Sequence, residues 1–214
     1  MCVNLSSMTW RDSSGRTLAD YPHPSVAVDV ALLTVRDGQL QVLLHARPDG
    51  THALPGTFVR IDETCASAAL RALRDKAGVT GQDPEQLRVF DDPARDDRGR
   101  VLSVAHVDLV PVGKLGDALL APVAAHGELA FDHAEIVAHA VRWARALYAA
   151  PDPRGLAGDT FTLLELQRVH EAVEGRPLQK DTFRRRVIDE LIDSGELSSG
   201  GVGKPARLYR RSAP

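Results

Sequence analysis

The sequence predicts an α/β (α+β) fold in two parts, a larger mixed domain and a small winged helix-turn-helix behind it. Three observations lead there. Two β-branched runs of alternating character, from Ser25 and from Gln39, flank an Asp37-Gly38 pair, the dipeptide that favours a tight hairpin turn. Segments beginning at Asp62 and Asp132 instead carry apolar residues at helical spacing. The stretch PDPRGLAG, residues 151–158, then breaks both periods with prolines and glycines, as a linker does.

Residues 1–20 are polar and aperiodic and are expected to form a flexible arm; the first domain is set at 21–150. VAVDVALLTV and QLQVLLHAR form its opening hairpin. A helix is expected from Asp62 to Ala77, with Ala66, Ala69, Leu70, Leu73 and Ala77 on its apolar face and Gly78 as its left-handed stop. Val101 to Val112 reads as a strand with Leu102, Val104, His106 and Asp108 on one face. Asp132 to Glu135 has the form of a capping box, and Ile136, Val137, Ala140, Val141, Ala144 and Leu147 make the stripe of the helix behind it.

After the linker at 151–158 comes the second domain, 159–214. Thr162-Leu-Leu-Glu165 is a further capping box, opening a helix that a turn with Gly175 and Pro177 ends. DTFRRRVIDELIDSG then reads as one helix with Phe183, Val187, Ile188 and Leu191 buried and Gly195 as the stop. Two extended pieces around a glycine-rich tip close the chain. Helix, tight turn, helix and glycine-tipped hairpin is the order of a winged helix-turn-helix.

Composition excludes several function classes. With 43% hydrophobic and 26% charged residues this is ordinary globular material, and no run approaches the ~18 apolar residues of a membrane helix. The N-terminus has no apolar core of signal-peptide length, so a cytoplasmic protein is expected. Cys2 and Cys65 have no metal-ligand spacing and are expected to be incidental thiols. A net charge of −3 argues against general coating of nucleic acid. From Asp159 onward, however, the cations are clustered, with 10 Lys and Arg beside 9 Asp and Glu.

Leu54 to Val79, LPGTFVRIDETCASAALRALRDKAGV, resembles the Nudix box, G-x5-E-x7-R-E-U-x-E-E-x-G-U with U a bulky aliphatic. Anchored on Gly78, the first glutamate is Glu63, the arginine Arg71, and the aliphatic positions Leu73 and Val79. The opening glycine is Thr57, with Gly56 one residue early, and Ala72, Asp75 and Lys76 stand where three glutamates belong. Those glutamates are the family's divalent-metal ligands, so the resemblance implies a Nudix-like α/β/α sandwich that binds a nucleotide-like ligand without cleaving it. No catalytic residue, metal or required cofactor is expected. A hard divalent ion wants several carboxylate oxygens, and one carboxylate, one methyl and one ammonium do not supply them.

Candidate ligand-binding residues follow. Lys76 either replaces part of the missing cation at a ligand phosphate or is a solvated lysine placed to suit the helix dipole. In the family the pair Glu63 and Arg71 ties the loop to the helix; Asp75 keeps one carboxylate on that face. Arg60 is a phosphate contact or a surface arginine. Arg95-Asp-Asp-Arg-Gly-Arg100-Val-Leu-Ser-Val resembles the R-D-P-R-G-R-V-x-S-V-A signature of Nudix-domain regulators and some ADP-ribose pyrophosphatases, with Asp97 in place of the proline. Arg95 and Arg98 therefore grip phosphates, line a dimer contact or face solvent. His106 with Asp108 is a polar pair in the pocket or, for the histidine, a satisfied buried side chain.

A helix-turn-helix presents the start of its second helix to the major groove. The exposed positions there are Lys180, Thr182, Arg184, Arg185 and Arg186, and the wing adds Lys204 and Arg207. Arginine suits guanine edges and phosphates, and threonine suits phosphates or a thymine methyl. With the segment FTLLELQRVHEAVEGRPLQKDTFRRRV and a G-x-P-A-R-L-Y-R ending, the chain from Tyr21 to Arg211 resembles the NrtR family of Nudix-related transcriptional regulators. What the resemblance implies is a homodimeric repressor on a palindromic double-stranded operator, with ADP-ribose or a related nucleotide or sugar phosphate as effector. The alternatives are an active ADP-ribose pyrophosphatase with a DNA-binding appendage, and a scaffold whose tail binds a protein.

Overall fold

The computed structural model describes residues 10–199 and 205–212. Cys2, Lys204 and the glycines of the wing tip lie outside them. Its strands and helices are, in order, β1 (Ser25–Arg36), β2 (Gln39–Leu43), β3 (His45–Ala46), β4 (His52–Ala53), β5 (Gly56–Phe58), α1 (Cys65–Ala77), β6 (Glu85–Phe90), β7 (Val101–Leu109), β8 (Leu120–Pro122) and α2 (His133–Leu147). The second part contains β9 (Phe161–Thr162), α3 (Leu163–Glu174), α4 (Lys180–Val187), β10 (Leu191–Leu197) and β11 (Arg207–Arg211).

The main sheet runs β6-β7-β1-β2-β8, with β5 also paired to β1. β1 is parallel to β7 and antiparallel to β2 and β5. The Asp37-Gly38 turn forms as expected, both residues at positive φ and Arg36 opposite Gln39. β1 lies at the centre of three layers. Its Val28, Val30 and Leu32 pack with Ala68, Ala69 and Leu73 of α1. Ala31 and Leu33 face the other way, into a cluster with Ile136, Val137, Ala140 and Ala144 of α2. Burial on both faces explains why the run is apolar almost throughout.

Several expected boundaries move. α1 starts at Cys65, not Asp62, because Thr64 caps it by accepting from the Ser67 amide at 3.1 Å. Its buried face is Ala68, Ala69, Ala72 and Leu73, whereas Ala66 and Leu70 are exposed. Alanine is tolerated on either face, so an alanine-rich helix leaves its rotation undetermined in sequence. β7 stops at Leu109, and Pro111 leads into a 3-10 turn. The expected capping box at Asp132 is absent, since that side chain makes no cap bond and pairs with Arg95 instead. The described part of the N-terminal arm is folded locally: Asp12 Oδ1 accepts from the amides of Ser14 and Arg16, and a 3-10 turn spans Leu18–Asp20.

In the second part the capping box at Thr162 and Glu165 is present, and Gly175 closes α3 at φ 72°. The following helix is much shorter than expected. α4 ends at Val187, a 3-10 turn covers Ile188–Glu190, and Leu191–Leu197 is a strand paired with β11. Leu191 still packs with Phe183 and Val187, so the apolar spacing was right and the backbone was not. Gly195 is a turn within β10, its amide held by Asp193.

The two parts share one core. Val169 and Val173 of α3 belong to the cluster that contains Ala140, Ala144 and Tyr148. Residues 151–158 are built in rather than loose, because Asp152 is fully buried and accepts from the amides of Leu156 and Ala157. At the same joint His170 is 0% exposed, its ring between Tyr148 at 5.2 Å and Phe183 at 5.0 Å. Burial, and then the charge of Arg186, push its pKa from 6.5 down to about 4. The fold therefore keeps this histidine neutral, and the stability it lends is complete above pH 6.5 and lost as the pH falls toward 4. The expected loss is on the order of 3 kcal/mol. Denaturant midpoints at pH 7.5 and 4.5 should record it, and His170→Gln should flatten that dependence.

Candidate functional site

A cavity of about 280 Å³ opens where β1, β5, the end of α1, the β6–β7 loop and the start of α2 converge. Its floor is an ionic cluster centred on Asp29, a carboxylate in the middle of β1. Arg95 donates twice to Asp132, at 2.6 and 2.8 Å, and once to Asp29, at 3.3 Å. Ser103 Oγ donates to Asp29 at 2.6 Å, and His133 Nε2 lies 3.2 Å from the other oxygen. The His133 ring accepts the Leu54 amide at Nδ1, so Nε2 carries the proton that faces Asp29. Burial would raise the Asp29 carboxyl, but His133, Ser103 and Arg95 outweigh it and hold the pKa below the ordinary value. Gly56 lies so close that any Cβ there would run into this carboxylate.

The cavity wall is cationic and aromatic. Asp96, almost fully buried, takes two bonds from Arg98, at 2.7 and 2.9 Å. The Arg98 guanidinium also sits over Phe58 and Phe131, 5.6 and 5.1 Å from the ring centres. Phe131 is at φ 57°, a left-handed conformation rare for a side chain of its size. Arg47 lies over the same ring at 5.0 Å and pairs with Asp49. Lys76 reaches the wall from the last turn of α1. Among the described residues, it is the one lining lysine or arginine that no carboxylate engages. Burial, helped by the Lys76 charge and opposed by the hydrogen bond to the Ala46 carbonyl, holds the neighbouring His45 below its ordinary pKa.

Of the ligand residues expected from sequence, Lys76, Arg95 and Arg98 line this cavity, and Arg60, Glu63, Arg71, Asp75 and His106 do not. Glu63 and Arg71 instead brace its frame. Arg71 donates to both Glu63 oxygens at 2.8 and 2.7 Å, to Thr57 Oγ1 and to the Phe58 carbonyl, fastening β5 to α1. The Arg71 hydrogen bond lowers Glu63 to about 2. Arg60 is exposed beside this brace, and Asp75 pairs with Arg74 at 2.8 Å. His106 is buried with Nδ1 2.9 Å from the Val104 carbonyl, and burial lowers its pKa. It forms no pair with Asp108, whose carboxylate faces Arg154 at 3.6 Å and the Asp83 amide.

Sequence reasoning missed Asp29, Asp96, Asp132, His133, Phe58 and Phe131. Asp29 did carry a signal, because a lone carboxylate inside an apolar strand must find cationic partners. At the three positions of the box, Ala72 is buried, Asp75 is engaged by Arg74, and Lys76 is cationic. A divalent ion therefore does not fit this donor set. Among the described residues, moreover, no three His, Cys, Asp or Glu side chains converge to hold one.

The second candidate surface is α4. Phe183 and Val187 point inward, and Lys180, Thr182, Arg184, Arg185 and Arg186 are exposed. Gln179 caps the helix by accepting the Thr182 amide at 2.6 Å. Arg186 turns back, its guanidinium 3.1 Å from His170 Nδ1 and over the Phe183 ring. Arg207, on the wing strand β11, pairs with Asp193 at 2.6 Å yet remains open to solvent.

Residues 23–152 match the family model of the NUDIX domain, and residues 154–211 that of the NrtR DNA-binding winged helix domain. The ADPR responsive transcriptional repressor NtrR of Acinetobacter baylyi is 32% identical over 209 residues, 90% of this chain and 84% of that protein. The chain belongs to the NrtR family. Shewanella oneidensis NrtR, in a crystal structure with a 27mer DNA, superposes with a TM-score of 0.70 at 34% identity, covering 87% of this chain and 93% of that one. The NUDIX domain of Shewanella NrtR in a cocrystal with ADP ribose gives a TM-score of 0.53 at 28% identity, over 61% of this chain and 94% of that domain. Among the described residues of this NrtR protein, no helix is long and apolar enough to cross a membrane.

Proposed function

We propose that this NrtR protein is a transcriptional repressor in which α4 and the wing hold operator DNA and the cavity takes ADP-ribose or a close relative without hydrolysing it. The observation that carries this reading is the ammonium of Lys76, which no carboxylate among the described residues engages, in a cavity whose other cations are already paired. A diphosphate offers it two anionic groups, and an ammonium needs no metal ion to meet them. Arg95 and Arg98 are the next contacts, each able to exchange a carboxylate for a phosphate. The Nudix hydrolase chemistry, which draws on several carboxylates around a divalent ion, has no such set at Ala72, Asp75 and Lys76. Lys180, Thr182, Arg184, Arg185 and Arg207 are the proposed DNA contacts, and two copies of the chain would present two α4 helices to the halves of a palindrome.

An electrophoretic shift on the promoter beside this gene, with and without ADP-ribose, tests both halves of the proposal. Binding of a palindrome that ADP-ribose alters, with no AMP released in Mg2+ or Mn2+, is the expected result. Failure to bind any nearby palindrome would remove the repressor reading, and AMP release at a catalytic rate would replace it with an active pyrophosphatase.

A further inference from the structure

α2 has 15 residues and so spans about 22 Å. One end stands in the cavity. Its first residue, His133, faces Asp29, and Asp132 just before it holds Arg95. The other end packs against α3 of the winged helix. Tyr148, which caps α2, is 1% exposed and donates its hydroxyl to Asp152 at 2.9 Å.

From Tyr148 the contacts divide. Asp152 receives Arg211 of β11 at 2.9 Å, as well as the amides of Leu156 and Ala157. It does so at φ 50°, in the left-handed region that aspartate tolerates better than most residues with a side chain. The Tyr148 ring meets His170 edge-on at 67°. His170 in turn packs on Phe183 and accepts Arg186 of α4 at Nδ1, which leaves its Nε2 buried without a partner among the described residues. One branch reaches the wing and the other the arginine helix.

Such a joint is costly. A whole buried ion pair can be replaced by apolar side chains of like volume with little or no loss of stability, and Asp152 with Arg211 is such a pair, beside an imidazole whose Nε2 has no partner among the described residues. What apolar packing would not supply is a fixed direction for each connection. The geometry points to Tyr148, Asp152 and His170 as positioning residues for DNA binding, through which α2 sets the placement of α4 and β11. The proposed function adds a trigger at the far end: a ligand phosphate that takes Arg95 from Asp132 frees the start of α2.

The test is a double-mutant cycle in the full chain, with Asp132→Asn at the cavity end and Tyr148→Phe at the joint. Operator affinity is measured for all four proteins on a duplex selected from random-sequence DNA. Asp132→Asn should change that affinity about fivefold in the wild-type background and less than twofold beside Tyr148→Phe. Addition of ADP-ribose should repeat the pattern: the DNA affinity ratio with and without it falls toward one in Tyr148→Phe, while calorimetric ADP-ribose affinity is unchanged. A residue of purely structural importance would lower thermal midpoints and leave these ratios alone.

The inference is overturned if Asp132→Asn leaves operator affinity unchanged, or if its effect is the same in both backgrounds. Absence of ADP-ribose binding in the wild type would remove the effector, and the ligand-free cycle would still decide the joint. If Tyr148→Phe fails to fold, Arg211→Gln takes its place, since it severs the wing branch from the surface and should likewise diminish the Asp132→Asn effect.

Discussion

Replacing Arg185 with alanine should weaken operator binding by ~10- to 100-fold, the range for loss of a base-edge arginine contact. Among the described residues no carboxylate holds this side chain, and it stands on the face of α4 opposite Phe183 and Val187. A bidentate contact to guanine would be lost outright, because alanine offers neither donor nor charge. Removing a phosphate contact at Lys180 would instead weaken binding to all sequences alike and reduce the slope of affinity against salt. Arg186 provides an internal contrast, since His170 and Phe183 already engage it. Its replacement should lower the thermal midpoint as well as the affinity. Filter binding at ~0.15 M salt separates these cases. Unchanged affinity in Arg185→Ala would show that α4 does not enter the groove at this residue.

The second large effect is expected in the cavity. Lys76→Glu should weaken ADP-ribose binding by ~100-fold or more, because it removes a charge-assisted bond and adds a repelling charge. The same change should move the ADP-ribose response of operator binding to correspondingly higher ligand concentrations. Lys76→Gln, which removes the charge without reversing it, should be several-fold milder. The substitution sits at an exposed helix end and disturbs no ion pair among the described residues, so the folded protein should survive it. Titration calorimetry on both variants measures the effect. Wild-type affinity in Lys76→Glu would place the phosphates elsewhere in the cavity.

Local chemistry made much of this protein legible. The Asp37-Gly38 hairpin, the Thr162 to Glu165 capping box, the Gly78 stop and the inward Phe183 and Val187 all depend on neighbours a few residues away, and all stand as the sequence suggests. Lys76 and Arg95 could be picked out because motif positions marked them. The floor of the cavity could not be read the same way. Asp29 meets Arg95 across 66 positions and Ser103 across 74, and no periodicity reports a contact closed by the fold. Asp132 shows the same limit from the other side. Its sequence context fits a helix cap, but a buried arginine offers a carboxylate a stronger partner than a backbone amide. In the tail, Ile188 and Leu191 kept the spacing of a helix while joining the core from a 3-10 turn and a strand.

The core shared by α2 and α3 bears on how such a protein can be taken apart. The proline- and glycine-rich segment invites a cut, but the wall behind it is continuous: Val169 and Val173 close over Ala140, Ala144 and Tyr148. A winged helix grafted onto another sensor would arrive with that wall uncovered, and a sensor given a foreign reader would lose its lining. The exchangeable unit is thus reader plus α2 surface, and a chimaera drawn at the linker would inherit neither the seal nor the alignment.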